Sequence, residues 1–188
     1  MLYSELQCSE AIHKAVERMG FAEMTEIQEK TIPVMLAARD VIAKAPTGTG
    51  KTCAFGIPVA EHIDPEKKYP QAVIMAPTRE LAQQIAEELT ELTYFMPEVQ
   101  VACVYGGANM EKQARRLAEG CQIVVATPGR LMDHYKHHSI DLAHVTQVVL
   151  DEADEMLNMG FYKDVRHIIE LMKARKSLSM FCLLYTSD

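Results

Sequence analysis

The sequence lacks any excess of basic residues. Its 188 residues include 19 Lys and Arg against 26 Asp and Glu, which gives a formal net charge of −7 at pH 7. This balance argues against a broadly basic surface that would hold nucleic acid by electrostatics alone. Any contact with nucleic acid should therefore be local, and built from backbone amides, hydroxyls and a few arginines.

Paired cysteines and long apolar runs are also lacking. The five cysteines are odd in number and form no C-x-x-C pair, so neither a disulfide framework nor a zinc site is predicted. No basic and apolar leader begins the chain, and no run approaches membrane-spanning length. We expect a cytoplasmic protein with reduced cysteines and no membrane partner. His134, His137 and His138 have no carboxylate or cysteine cluster beside them, so we assign them no metal.

Residues 45–52 combine closely spaced glycines with a lysine and a hydroxyl, an order typical of a loop that binds a nucleoside triphosphate. The glycines let backbone N–H groups surround phosphate oxygens, and the next helix points its positive end at the same charge. Lys51 would reach the β and γ phosphates, while the Thr52 hydroxyl would bind Mg²⁺. The alternative is a Gly/Thr-rich turn before a helix. The predicted nucleotide contacts of this loop are Ala45, Thr47, Gly48, Thr49, Gly50, Lys51 and Thr52.

Apolar strands alternate with amphipathic helices along the chain. Residues 40–44 predict a short buried strand and Thr52 to His62 a helix, the setting that a phosphate loop requires. Further strands are predicted near 71–76, 99–105, 122–126 and 147–150. Helices are predicted over 110–118 and after Thr127, where Pro128 suits the first helical position. Pro33 should kink or break the helix that starts at Thr25. The pattern indicates an α/β fold, a predominantly parallel sheet with helices on both faces. Ligands of such sheets bind at the carboxyl ends of the strands, so one composite site should form from the loops that begin at Ala45, Pro77, Gly106, Thr127 and Asp151.

Acidic residues directly follow the strand at 147–150. Asp151 has the position of a Walker B carboxylate that holds Mg²⁺, and Glu152 could polarise the water that attacks the γ-phosphate. Asp154 could connect the motif to neighbouring loops, and we include it in the nucleotide site. The alternative is an acidic helix N-terminus stabilised by the helix dipole. Lys51, Asp151 and Glu152 are therefore the predicted catalytic residues.

The ordered motifs resemble those of the DEAD-box RNA helicases, which are named after the string Asp-Glu-Ala-Asp found here at 151–154. The resemblance is to the first RecA-like domain of the family and runs over residues 3–181. It rests on the motifs at 20–28, 45–52, 77–81, 106–107, 127–130 and 151–154. The family's phosphate loop commonly begins with alanine, as Ala45 does here. The resemblance implies a RecA-like P-loop domain over residues 1–181 that uses ATP and Mg²⁺.

The same resemblance implies roles in base recognition for the segment 1–30. Gln28 matches the glutamine that reads adenine, because its amide can both donate to and accept from the N6/N7 edge. Tyr3 stands where the family usually has a phenylalanine that packs near the base. Met24 replaces a proline that commonly precedes Thr25, which could loosen that turn.

Three further loops match those with which the family holds single-stranded RNA. Glycines and helix N-termini present N–H groups to phosphates, and such contacts position a strand without reading its sequence. The alternatives are a tight turn at Gly106–Gly107 and surface ion pairs for the arginines. The implied RNA contacts are Pro77, Thr78, Arg79, Gly106, Gly107, Thr127, Pro128, Gly129 and Arg130.

The sequence departs from the family after residue 181. There the family has Ser-Ala-Thr, the motif that couples hydrolysis to unwinding, whereas this chain continues Cys182-Leu183-Leu184 and stops at Asp188. We expect that the second RecA-like domain, in which the family has its arginine fingers and half of its RNA cleft, is missing from this chain. We expect residues 182–188 to be an aberrant tail produced by truncation of a longer gene.

The expected function is the ATP-binding and single-stranded-RNA-binding half of an ATP-dependent RNA helicase. Alone, the fragment should bind ATP weakly and show little RNA-stimulated hydrolysis, since arginine fingers speed phosphoryl transfer by orders of magnitude. Two alternatives remain: a non-catalytic nucleotide- or RNA-binding module, and a DNA translocase of the wider superfamily. Gln28 and the acidic string favour RNA over DNA.

Overall fold

The computed structural model describes residues 1–46, 48 and 50–183. Within them, a 3-10 helix at Tyr3–Glu5 precedes alternating helices and strands. The α-helices are α1 Glu10–Arg18, α2 Glu26–Leu36, α3 Lys51–Glu61, α4 Arg79–Leu92, α5 Met110–Ala118, α6 Pro128–Lys136, α7 Ala153–Asn158 and α8 Tyr162–Leu171. The strands are β1 Val41–Lys44, β2 Ala72–Met75, β3 Val101–Val104, β4 Ile123–Ala126, β5 Gln147–Asp151 and β6 Ser177–Cys182.

The six strands form one sheet in the order β1-β6-β5-β2-β4-β3, and every described pairing is parallel. Alternate residues of the strands point to opposite faces. Ile74, Val149 and Phe181 pack in a core with residues of α1 to α4, whereas Val73 and Val148 pack in a second core with residues of α5 to α8. The predicted parallel sheet with helices on both faces is therefore confirmed.

Local signals determine most helix ends. Ser9 caps α1 by accepting a hydrogen bond from the Ile12 backbone N–H, and Thr78 caps α4 in the same way. Pro128 occupies the first turn of α6, as predicted. Pro33 neither breaks nor divides its helix, because α2 runs continuously from Glu26 to Leu36.

The strand before the phosphate loop differs from its prediction. β1 is an edge strand that pairs only with β6 among the described elements. Ile42 is 76% exposed, while Ala43 is buried against the α1–α4 side. The prediction of a fully buried strand was wrong, because an apolar run does not reveal whether helices cover one face or both.

The tail region begins inside the sheet. Cys182 is the last residue of β6, and its carbonyl accepts a hydrogen bond from the Ala45 backbone N–H at 3.0 Å. The Leu183 N–H in turn donates to Asp154 Oδ1 at 3.1 Å. Residues 184–188 lie outside the described part, as do Thr47 and Thr49 of the predicted phosphate loop.

Candidate nucleotide and RNA site

A buried ion pair joins the phosphate-loop helix to the end of the central strand β5. Lys51 is the first residue of α3, and its Nζ lies 3.1 Å from Asp151 Oδ1. Their side chains are 7% and 0% exposed. A buried pair of this kind is costly to break, because either partner alone would remain as an uncompensated charge. The fold therefore brings together the lysine and the carboxylate that the sequence predicts for one site.

Asp151 retains an unused acceptor. Its Oδ1 is bonded to Lys51 and accepts from the Glu152 N–H at 2.9 Å, whereas its buried Oδ2 has no hydrogen-bond partner among the described residues. Burial raises the pKa of the Asp151 carboxyl, against the opposing effect of Lys51. The Thr52 side chain is also buried, one residue after Lys51. A carboxylate oxygen without a partner among the described residues and the hydroxyl of the residue after Lys51 are oxygen ligands of the kind that Mg²⁺ prefers.

Glu152 sits in a strained backbone position. Its φ of 51° and ψ of 49° lie in the left-handed region, which costs a non-glycine residue free energy and is often found at functional sites. Burial, and the neighbouring carboxylates Asp151 and Glu155, raise the pKa of the Glu152 carboxyl, although Lys51 opposes them. A carboxyl with a raised pKa is better suited to accept a proton at neutral pH.

Gln28 connects α2 to the phosphate loop. Its Nε2 donates to the Gly50 carbonyl at 3.0 Å, and its Oε1 accepts from the Thr25 N–H at 3.0 Å and from the Tyr3 hydroxyl. A β-carbon placed on Gly50 would lie only 2.4 Å from Gln28 Nε2. Gly50 also has a φ of 77°, in the left-handed region that favours glycine. Both the limited space and the backbone conformation therefore favour glycine at this position.

The structure adds detail to the predicted base-recognition segment. Gln28 is 3% exposed and Tyr3 is 5% exposed, and the Tyr3 ring stacks on Phe21 with centroids 6.4 Å apart. Their contacts with a base therefore stay predictions, since both side chains are occupied by protein partners. An open groove of about 390 Å³ lies beside them, lined by residues of α2 and of the loop after β1 that include Thr25, Ile27 and Ala45.

The predicted RNA loops lie at the same carboxyl edge of the sheet. Thr78 caps α4, and the Arg79 guanidinium lies 4.8 Å over the Tyr105 ring. Gly107 has a φ of 84°, which fits a turn before α5. By contrast, β-carbons placed on Gly106 and Gly129 would meet no atom of the described structure within 4 Å.

Arg130 makes internal contacts that the sequence did not predict. Its Nη1 donates to the Ala108 carbonyl at 2.9 Å and to Gln113 Oε1 at 3.0 Å, and its Nε lies 3.6 Å from Asp133 Oδ2. Only 13% of its side chain is exposed. Arg130 therefore connects the loop at 106–109 to α6, and its contact with RNA phosphates stays a prediction.

Gln113 is the central residue of this connection, and sequence reasoning missed it. Its Oε1 accepts from Arg130 and lies 3.1 Å from His134 Nε2, while its Nε2 donates to the Tyr105 carbonyl at 3.0 Å. No local pattern marks this glutamine, because its partners are distant in sequence. Burial and the adjacent Arg130 lower the pKa of His134. Among residues 1–46, 48 and 50–183 no group of three or more metal-binding side chains lies together.

Comparisons with known proteins agree with this geometry. The DEAD/DEAH box helicase family model matches residues 25–186. The chain belongs to the DEAD/DEAH box helicase family. The predicted family resemblance is thus confirmed, as is the RecA-like fold class expected from it.

Two curated relatives show how much of such proteins the chain represents. It is 50% identical over 179 residues to the ATP-dependent RNA helicase CshA of Listeria monocytogenes, covering 95% of this chain and 34% of that protein. It is 44% identical to the ATP-dependent RNA helicase DeaD of Escherichia coli, covering 28% of that protein. The chain therefore spans about a third of the length of the curated relatives that it matches.

Two solved structures have the same fold. A DEAD box protein from Methanococcus jannaschii superposes with a TM-score of 0.89 at 39% identity, over 97% of this chain and 50% of that one. A hypothetical ATP-dependent RNA helicase from Sulfolobus tokodaii gives a TM-score of 0.84 at 40% identity, over 93% of this chain and 50% of that one.

Within the described ranges no helix is long and apolar enough to cross a membrane.

Proposed function

We propose that this chain is the ATP-binding and single-stranded-RNA-binding half of a DEAD-box ATP-dependent RNA helicase. The observation that carries the proposal is the buried Lys51–Asp151 pair, which leaves Asp151 Oδ2 without a described partner at the carboxyl edge of the sheet. In a P-loop enzyme this edge binds the triphosphate. We assign this function to one domain of residues 1–181. The free cysteines of the chain fit a reducing compartment such as the cytoplasm.

Each of the proposed nucleotide-binding residues has a separate role. Lys51 binds the β and γ phosphates, and Glu152 accepts a proton from the attacking water. Thr52 and Asp151 would hold Mg²⁺, which when bound neutralises charge on the phosphate oxygens. The groove beside Thr25 and Ala45 offers a place for the base and ribose.

The argument for RNA binding depends on two glycines whose backbone faces open space. Because no described atom would meet a β-carbon at Gly106 or Gly129, the chain's own packing does not require glycine there. A phosphate backbone that approaches closely would require it. Arg79 then supplies positive charge, since its guanidinium lies over an aromatic ring rather than in an ion pair among those described.

The family resemblance assigns the arginine fingers to a second RecA-like domain, so this chain should bind ATP with little turnover. The test titrates the chain with ATP, with and without Mg²⁺, and measures phosphate release in parallel. Mg²⁺ should strengthen ATP binding to the wild type and not to Asp151→Asn. If the folded wild type binds no ATP, the proposed function is wrong; robust RNA-stimulated hydrolysis would contradict the expected low turnover.

RNA binding is tested separately with Arg79→Ala. Its affinity for short single-stranded RNA should fall similarly for U-rich and A-rich strands, and the salt slope of binding should decrease by about 0.7 for one lost phosphate contact. Arg39→Ala is the matched control, because Arg39 is exposed next to the amino end of β1. Equal losses in the two variants would contradict a local RNA contact at Arg79.

A further inference from the structure

The amide of Gln28 has little free hydrogen-bonding capacity. A glutamine side chain offers two lone pairs on Oε1 and two N–H donors on Nε2. In this structure Oε1 accepts from the Tyr3 hydroxyl and from the Thr25 N–H, which uses both lone pairs. Nε2 donates to the Gly50 carbonyl and keeps one N–H. Gln28 can therefore still donate a hydrogen bond to a base, but it cannot accept another one.

Recognition of adenine needs that second acceptor. The N6/N7 edge of adenine presents a donor and an acceptor, which a glutamine amide matches by accepting and donating at once. One present donor must then leave Oε1. The Thr25 N–H belongs to the N-cap of α2, where Gln28 completes a capping box, so backbone geometry holds it in place. The Tyr3 hydroxyl is the donor that can rotate away.

We propose that the Tyr3 hydroxyl competes with an adenine base for Gln28 Oε1, and so holds Gln28 against the phosphate loop until adenine displaces it. The inference rests on the proposed ATP-binding function. Tyr3 is buried, so displacement leaves its hydroxyl without this acceptor, and that loss opposes adenine binding. A phenylalanine at this position would have no hydroxyl to lose.

Guanine provides an internal comparison. Its corresponding edge carries two acceptors, O6 and N7, and no donor. Guanine can accept a hydrogen bond from the free N–H of Gln28 without displacing the Tyr3 hydroxyl. The competition should therefore weaken ATP binding and leave GTP binding nearly unchanged. Inorganic tripolyphosphate, which has no base, should also be unaffected.

The test measures dissociation constants of the whole chain for ATP, GTP and tripolyphosphate in wild type and Tyr3→Phe. Loss of the competing hydrogen bond should tighten ATP binding about fivefold and raise the ATP-to-GTP affinity ratio by the same factor. Tyr162→Phe is the matched control, because Tyr162 is 53% exposed on α8. In a Gln28→Ala background, Tyr3→Phe should have no effect on ATP binding.

Several results would overturn the proposal. Unchanged or weaker ATP binding in Tyr3→Phe would mean that the hydroxyl does not compete with the base. An equal shift for ATP, GTP and tripolyphosphate would indicate a general change of the phosphate loop instead. A folded wild type that binds tripolyphosphate and no ATP would overturn the proposed function as well, whereas ATP binding insensitive to Tyr3→Phe overturns only the competition.

Discussion

The proposed nucleotide-binding half and the proposed RNA-binding half of the carboxyl edge differ in how they are built. Where α3 begins the packing is tight: a β-carbon on Gly50 would collide with Gln28, and Lys51 and Asp151 form a buried charge pair, although a β-carbon on Gly48 would meet nothing within 4 Å. Around the RNA loops, Gly106 and Gly129 face open space. There a neutral amide, Gln113, joins the loops in place of an ion pair.

The difference fits the ligands that we propose for the two halves. A triphosphate carries concentrated charge, and the proposed nucleotide site contains buried charges that are already paired with each other. An RNA backbone is long and is contacted at many points, so its site needs open surface on loops that are held from behind. Three variants test whether the two halves differ in this way.

Lys51→Ala should have the largest effect, because it leaves the buried Asp151 carboxylate without its partner. We expect the free energy of unfolding at pH 7 to fall by about 3 kcal/mol and ATP binding to be lost. Urea unfolding and an ATP titration measure the two effects. The control is Lys14→Ala, which removes an exposed pair with Glu10 and should change neither quantity measurably. Similar stabilities for the two variants would show that the buried pair has no special role.

Gln113→Ala should have an intermediate effect. It removes the acceptor shared by Arg130 and His134 and the donor to the Tyr105 carbonyl, so we expect a loss of about 2 kcal/mol in stability and weaker RNA binding. ATP affinity should stay unchanged, since the nucleotide half lacks this contact. Gln84→Ala is the control, because Gln84 makes only an exposed 3.4 Å contact with Glu88. Loss of ATP binding in Gln113→Ala would contradict the independence of the two halves.

Glu152→Gln should have the smallest effect on stability, seen as a change in the pH dependence of unfolding. The folded-state pKa of Glu152 is raised above its ordinary value of 4.5, so the folded protein binds the proton more tightly than the unfolded chain. Its contribution to stability is therefore present below pH 4.5 and lost as pH rises through the folded pKa. If melting temperatures are measured across this pH range, the part of the melting temperature that is lost as pH rises should be smaller for Glu152→Gln than for wild type. The control is Glu17→Gln, at an exposed position of α1, which should keep the wild-type dependence of melting temperature on pH. The same pH dependence in all three proteins would refute a raised pKa of Glu152.

The elements that sequence reasoning predicted well have local causes. α5 has the predicted bounds, Met110–Ala118, because an asparagine cap and an amphipathic repeat specify it. α7 was missed because its six residues are too short for a periodic signal. The burial of β1 was mispredicted, since strand order decides which strand lies at an edge.

The same division holds for the site. Lys51 and Thr52 follow the loop after β1 and Asp151 ends β5, positions that their motifs specify, so the sequence alone could predict that they lie at one edge of the sheet. The internal bonds of Arg130, Gln113 and Tyr3 could not be predicted, since each links residues far apart in the chain. Roles for Thr47 and Thr49 lie outside the described residues and stay predictions.

Short motifs and hydrophobic periodicity are local properties, so the amino-acid pattern was enough to predict the parallel α/β class, the family and the residues at the carboxyl edge. Which polar groups of that edge are already hydrogen-bonded follows instead from the packing of the folded chain. Hydrogen bonds such as Tyr3 to Gln28 and Gln113 to Arg130 depend on distances across packed elements, and those distances exist only once both cores have formed.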